Sequence, residues 1–162
     1  MTLPVVGRMA PAFALENDAG ERVALKDLRG QHVVLFFYPK DDTPTCTAEA
    51  CDFRDLLPRF AGLDAVVLGI SPDSVKSHAK FKAKYGLPYA LLADVDHAVS
   101  EKYGVWKEKV LYGRRYMGVV RTTFVIGPTG KVRHVFENVK TDGHGDAVAA
   151  VVESYVRRSS SS

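Results

Sequence analysis

Two cysteines, Cys46 and Cys51, are the only thiols in this chain of 162 residues, and they stand five positions apart. A thiolate is a strong nucleophile and a metal ligand, and two neighbouring thiols can also exchange with a disulfide. The spacing separates these chemistries. Structural zinc sites pair cysteines two to four residues apart and need two further ligands. Here the five histidines, His32, His78, His97, His134 and His144, are scattered, with no close pair among them or with the cysteines. The Cys-x-x-Cys spacing of general disulfide carriers is also missed. What remains is a reactive cysteine with a second thiol within reach, or an inert pair in a core.

The surrounding elements favour reactivity. The apolar run Val33-Val34-Leu35-Phe36-Phe37-Tyr38 reads as a strand buried on both faces at the centre of a parallel sheet. Pro39 and Pro44 bracket a polar loop, and from Thr47 the chain carries helix formers with Phe53, Leu56 and Leu57 on one face. Cys46 therefore falls where a central strand hands over to a helix, at or beside the helix N-terminus. Unpaired amides and about half a positive charge at that end favour an anion such as a thiolate. Open α/β sheets also bind ligands at the carboxyl ends of their strands. A Pro/Asp/Thr-rich approach to Cys46 is not the setting of an inert core cysteine.

Pro39, Thr43 and Cys46 form the pattern Pro-x-x-x-Thr-x-x-Cys, which resembles the peroxidatic signature of the peroxiredoxins. Cys51 resembles the resolving cysteine of the bacterioferritin-comigratory, or Q-type, members. The resemblance runs through Gly7-x-x-Ala10-Pro11-x-Phe13, Gly69-Ile70-Ser71-Pro72-Asp73-Ser74 and Arg121-Thr122-Thr123-Phe124, in the family's order. Thr45 stands where many relatives have Gly, and Thr122 where many have Ser; neither change removes a reacting group.

That resemblance implies an α/β, thioredoxin-like fold in its peroxiredoxin variant, with an N-terminal β-hairpin. It implies reduction of hydrogen peroxide and organic hydroperoxides through a sulfenic acid on Cys46 and an intramolecular Cys46–Cys51 disulfide. A thioredoxin-type dithiol would recycle the disulfide; the chain would be a monomer and need no cofactor or metal. Arg121 would stabilise the thiolate and the peroxide oxygens, though without the motif it would read as a surface strand arginine. The Thr43 hydroxyl would bridge sulfur and peroxide, its plainer role being turn formation. Pro39 would shape the pocket. Glu49, one helical turn from Cys46, is placed either to organise Arg121 or to face solvent as an ordinary helix carboxylate. A redox-sensing or chaperone-like module without rapid turnover is the alternative class, because reactive cysteines serve sensors too.

Length and a hydrophobic content of 46% suit one domain, expected over residues 1–158, with a disordered serine-rich tail at 159–162. A net charge of +3 with no Lys/Arg block longer than two argues against nucleic-acid binding. No apolar run reaches the eighteen or so residues needed to span a bilayer. The start, Met1-Thr2-Leu3-Pro4-Val5, lacks the charged and apolar regions of a secretory signal, so a cytoplasmic location is expected. Asp94-x-Asp96 opens like a calcium loop, but Val99 and Val105 stand where that loop needs Gly and Glu.

In chain order, the sequence predicts a hairpin from Phe13–Leu15 and Arg22–Leu25, then one helical turn ending at Gly30. The cysteine helix follows, kinked or ended by Pro58. Ala65–Ile70 reads as the neighbouring parallel strand, and Ser71 or Asp73 as the cap of a helix ending near Gly86. His78 lies on that helix in register with Val75 and Phe81, as a packing or surface residue. Tyr89–Leu92 is a short strand, and Asp94 caps a helix over His97–Tyr103. Trp106–Met117 reads as a solvated loop whose aromatics pack on the domain. Val119–Ile126 is one strand, turned by Gly127–Gly130 into Lys131–Phe136. Val148, Val151, Val152, Tyr155 and Val156 give the closing helix an apolar face.

Overall fold

A computed structural model describes residues 3–160. A seven-stranded sheet carries the fold: β1 (Ala14–Asn17), β2 (Arg22–Ala24), β3 (His32–Phe37), β4 (Ala65–Ser71), β5 (Ala90–Ala93), β8 (Thr122–Ile126) and β9 (Val132–Phe136). Across the sheet the order is β2-β1-β5-β4-β3-β8-β9. Strands β5, β4 and β3 are parallel, β8 is antiparallel to β3, and the β1–β2 hairpin joins antiparallel at the β5 edge. The helices are α1 (Pro44–Gly62), α2 (Val75–Tyr85), α3 (Ala98–Lys102) and α4 (His144–Ser160). A 3-10 turn over Leu25–Leu28 follows β2.

Every residue of β3 is buried. Its alternation splits the core in two, as the period of a strand requires. Val34 and Phe36 face Phe53, Phe60, Phe81, Val148 and Val152 on one side of the sheet. Val33, Leu35 and Phe37 face Leu25, Val99, Tyr103 and Phe124 on the other. Both layers depend on β3, so the strand that leads to the cysteine loop is also the most firmly held part of the sheet.

Several boundaries depart from those the sequence suggests. Helix α1 begins at Pro44, two residues before Cys46, because proline is well suited to a first helical position where its missing N–H costs nothing. Pro58 lies inside α1 without ending it; Phe53 and Phe60, both fully buried, hold the helix on either side. The cap of α2 is Ser74, whose hydroxyl accepts from the Ser77 amide, and not Ser71 or Asp73. Gly86 closes that helix in the left-handed conformation, with φ of 62°. Asp94 does serve α3, accepting from the amides of Val99 and Ser100, although His97 occupies the boundary position.

The largest departure is the segment expected to be a solvated loop. It is a separate two-stranded hairpin, β6 (Trp106–Leu111) with β7 (Arg114–Val119). Tyr112 and Gly113 form its two-residue turn with φ of 51° and 76°, the sign pair that matches strand twist. Trp106 stacks on His97 with centroids 4.0 Å apart, but Tyr112 is 96% exposed and Tyr116 is 45% exposed. The expected single strand over Val119–Ile126 is also broken, since β7 ends at Val119 and β8 starts at Thr122. Helix α4 runs to Ser160, into the serine-rich stretch; the last two residues of the expected tail, like the first two of the chain, lie outside the described residues.

Candidate active site

Cys46 is the third residue of α1 and is 1% exposed. The Thr47 amide closes the first turn on the Thr43 carbonyl at 2.8 Å. The first amides of a helix have no intrahelical acceptors, so the sulfur sits at a donor-rich end.

Arg121 reaches the sulfur from the break between β7 and β8. That break is pinned on both sides: the Val120 amide donates to the Val105 carbonyl at 2.8 Å, and the Arg121 carbonyl accepts from the Val139 amide at 2.9 Å. Arg121 Nη2 donates to Cys46 Sγ at 3.2 Å, and Nη1 donates to Glu49 Oε1 at 2.7 Å. Glu49 is not a solvent-facing helix residue; its side chain is 1% exposed, and Oε2 has no hydrogen-bond partner. Burial pushes the Glu49 carboxyl up to about 7, against the pull of Arg121, and the Asp52 carboxylate adds to the rise. Burial works against the charge of Arg121 too, but Glu49 and the Cys46 sulfur together hold its proton more firmly than usual.

Pro39 is half-buried and, with Lys109, Val110, Tyr116, Arg121 and Val139, walls a cavity of about 400 Å³ beside the sulfur's cation. Its mouth is thus formed partly by the β6–β7 hairpin. Burial and the nearby Arg121 lower the Lys109 pKa, while the Cys46 sulfur opposes them. The Thr43 hydroxyl donates to the Lys40 carbonyl at 2.9 Å, which folds the loop back on itself just before α1. Cys51 is half-buried further along α1, and both cysteines are free thiols. Behind the site His144 Nε2 lies 2.8 Å from Thr123 Oγ1; burial, and then Arg121, push this histidine down to about 4.

The structure therefore brings Cys46, Arg121 and Glu49 into direct contact, with Pro39 on the adjoining wall. Thr43 and Cys51 lie in the same loop–helix unit without a direct contact to that trio. Sequence reasoning passed over Lys109 and Asp41. Lys109 was hidden in an apparent loop, and the pairing of Asp41 with a helix 37 residues away leaves no local pattern.

The AhpC/TSA family profile matches residues 6–135. Peroxiredoxin Bcp of Bacillus subtilis is 49% identical over 139 residues, covering 86% of this chain and 88% of that protein. Peroxiredoxin Bcp of Escherichia coli K12 is 44% identical over 142 residues, covering 88% and 91%. The chain belongs to the peroxiredoxins. Among solved structures, a cysteine-to-serine mutant of PrxQ from Xylella fastidiosa superposes on this peroxiredoxin with a TM-score of 0.89 at 36% identity, covering 94% of this chain and 97% of that one. Peroxiredoxin Q of Xanthomonas campestris does so with a TM-score of 0.85 at 42% identity, covering 89% and 91%. The peroxiredoxin is accordingly a thiol-dependent peroxidase on a thioredoxin-like fold. Among its described residues no helix is long and apolar enough to cross a membrane.

Proposed function

We propose that Cys46 is the peroxidatic cysteine, Cys51 the resolving cysteine, and Arg121, Thr43 and Pro39 the residues that shape and charge the peroxide site. The observation that carries this reading is the 3.2 Å contact between Arg121 and the Cys46 sulfur, made at a helix N-terminus beside an open cavity. The Cys46 thiolate attacks the terminal oxygen of a hydroperoxide. An S–O bond forms, the O–O bond breaks, and the departing oxygen takes a proton to leave as water or an alcohol. Both are poor leaving groups, so a fixed cation and aligned amides at the breaking bond are where stabilisation is needed. Cys51 then attacks the sulfenic acid, expelling water and forming a Cys46–Cys51 disulfide, and an external dithiol returns both thiols.

The substrates under this reading are hydrogen peroxide and organic hydroperoxides. The bacterioferritin comigratory protein of Xanthomonas campestris, which superposes with a TM-score of 0.85, is described by its alkyl peroxide reduction activity. The cavity next to Arg121, whose mixed walls include Pro39, Val110, Tyr116 and Val139, leaves room here for a carbon substituent. The reductant is a thioredoxin-type dithiol protein, and the enzyme acts as a cytoplasmic monomer.

Peroxide consumption with a thioredoxin system tests the assignment. Cys46→Ser is expected to abolish turnover, whereas Cys51→Ser reacts once and stops at a sulfenic acid trapped by a dimedone-type probe. Equal single-turnover rates for wild type and Cys46→Ser overturn it. Wild type that halts after one equivalent identifies a sensor, not a peroxidase.

A further inference from the structure

Asp41, in the loop between β3 and α1, is 7% exposed and fully engaged, yet it touches none of the reacting groups. The Tyr38 hydroxyl donates to its Oδ1 at 2.6 Å and the Ser77 hydroxyl to its Oδ2 at 2.8 Å. His78 Nδ1 lies 2.7 Å from the same Oδ2. His78 has no exposed surface, and its Nε2 lies 2.9 Å from the Leu92 carbonyl. A carbonyl only accepts, so Nε2 carries a hydrogen toward Leu92, and one further hydrogen lies between Nδ1 and Asp41 Oδ2 to close that contact. The result is a short hydrogen bond between the cysteine loop and α2, sheltered from water.

The adjoining backbone is held from the same side. The Asp41 amide donates to Asp73 Oδ2 at 2.8 Å, and that oxygen also accepts from the Ser71 hydroxyl at 2.6 Å. Asp42, at a φ of 57°, accepts from Lys84 and from the Tyr85 hydroxyl, each at 2.8 Å. The loop that carries Pro39 and Thr43 thus hangs by two consecutive aspartates from α2 and from Asp73 after β4, and through His78 from β5.

We propose that Asp41 and His78 are positioning residues of the peroxide site, fixing the 39–43 loop that carries Pro39 and Thr43 into the start of α1. This rests on the assignment of Cys46 as the peroxidatic thiol. Neither residue contacts peroxide in this arrangement; they act through the loop. Because their attachments lie on α2, the loop keeps its shape when the start of α1 rearranges, and the pocket is ready when the thiol returns.

Two rates separate this role from a merely structural one. Reaction with hydrogen peroxide needs the shaped pocket, whereas alkylation by iodoacetamide needs only an exposed thiolate. Asp41→Asn and His78→Gln are expected to slow peroxide oxidation of Cys46 by about ten- to a hundredfold, while alkylation stays within roughly threefold. Ser77→Ala removes one donor to Asp41 and keeps the pair, so a smaller selective loss, about two- to fivefold, is expected from a variant that folds even if the others do not. Parallel losses in both rates, or an unchanged peroxide rate in Ser77→Ala and the folded variants, overturn the proposal. A wrong assignment of Cys46 shows itself differently, as peroxide reactivity that survives Cys46→Ser.

Discussion

Arg121 Nη2 lies 3.2 Å from Cys46 Sγ, although 75 residues separate the two in sequence. The contact exists because the strand expected over Val119–Ile126 breaks just before β8, releasing Arg121 from ladder pairing. Its second nitrogen is tied to Glu49, one turn along from the cysteine, so one guanidinium is oriented by the helix whose sulfur it serves. Arginine suits this because its fork holds two acceptors in one plane.

Arg121→Met preserves bulk and removes that cation. Attack of Cys46 on peroxide is expected to slow by roughly ten- to a hundredfold or more, each tenfold corresponding to about 1.4 kcal/mol of barrier. Stopped-flow oxidation under single-turnover conditions measures it. An unchanged attack rate would make Arg121 purely structural.

Glu49 makes stability depend on pH in an unusual direction. Its carboxyl is raised by burial from 4.5 to about 7, so between those values the folded state holds a proton that the unfolded state has lost. The contribution to stability is therefore full below about 4.5 and declines as pH rises to about 7. Glu49→Gln mimics the protonated form and is expected to flatten that decline, gaining roughly 1–3 kcal/mol over wild type at pH 8. Urea denaturation at pH 5 and pH 8 tests it, and identical pH trends in the two proteins would count against it.

The proposed Cys46–Cys51 disulfide requires the start of α1 to unwind. Both cysteines lie within the helix, where five residues rise about 7.5 Å and leave the Cα atoms roughly 8–9 Å apart. A disulfide needs about 4.4–6.8 Å. The later part of α1 is held from outside: Tyr89 donates to the Ala50 carbonyl at 2.6 Å, Asp52 accepts from the Gly145 amide at 2.8 Å, and Arg54 donates to the Tyr85 carbonyl at 2.8 Å. Hydrogen exchange is expected to show lost protection within residues 44–51 of the oxidised protein, with the helix beyond Asp52 unchanged. Protection retained throughout, with the disulfide confirmed by mass spectrometry, would contradict this.

Tyr112 takes a left-handed φ in the hairpin turn, a conformation Asn tolerates better than a bulky aromatic. Tyr112→Asn is expected to raise stability modestly, by about 0.5–1 kcal/mol, with the turn unchanged. A lower melting temperature would show that the exposed ring has a partner that stabilises the fold.

Apolar runs made the sheet legible, since β3 and β4 are buried on both faces and admit little besides strand. The place of Cys46 was legible for the same reason, because two prolines frame the handover to α1. The β6–β7 hairpin was not. Its strands, Trp-Lys-Glu-Lys-Val-Leu and Arg-Arg-Tyr-Met-Gly-Val, show no two-residue alternation and bury little besides Val119, and its turn opens on Tyr112 where Asn or Asp is the usual signal. Nor was the partner of Asp41: His78 sits in helical register with packing residues, and nothing along the chain tells a buried imidazole on a carboxylate from one packed among hydrocarbons. The burial of Glu49 was open for a similar reason, as it depends on how β8 lies against α1.

The outside attachments of the later part of α1 make formation of the proposed disulfide a one-sided journey. Under the proposed assignment Cys51 adjoins the Ala50 and Asp52 anchors and stays near its place, while Cys46 does the travelling and breaks the hold of Arg121 on its sulfur. If the proposed disulfide forms, the sulfur leaves the guanidinium before any reductant is needed.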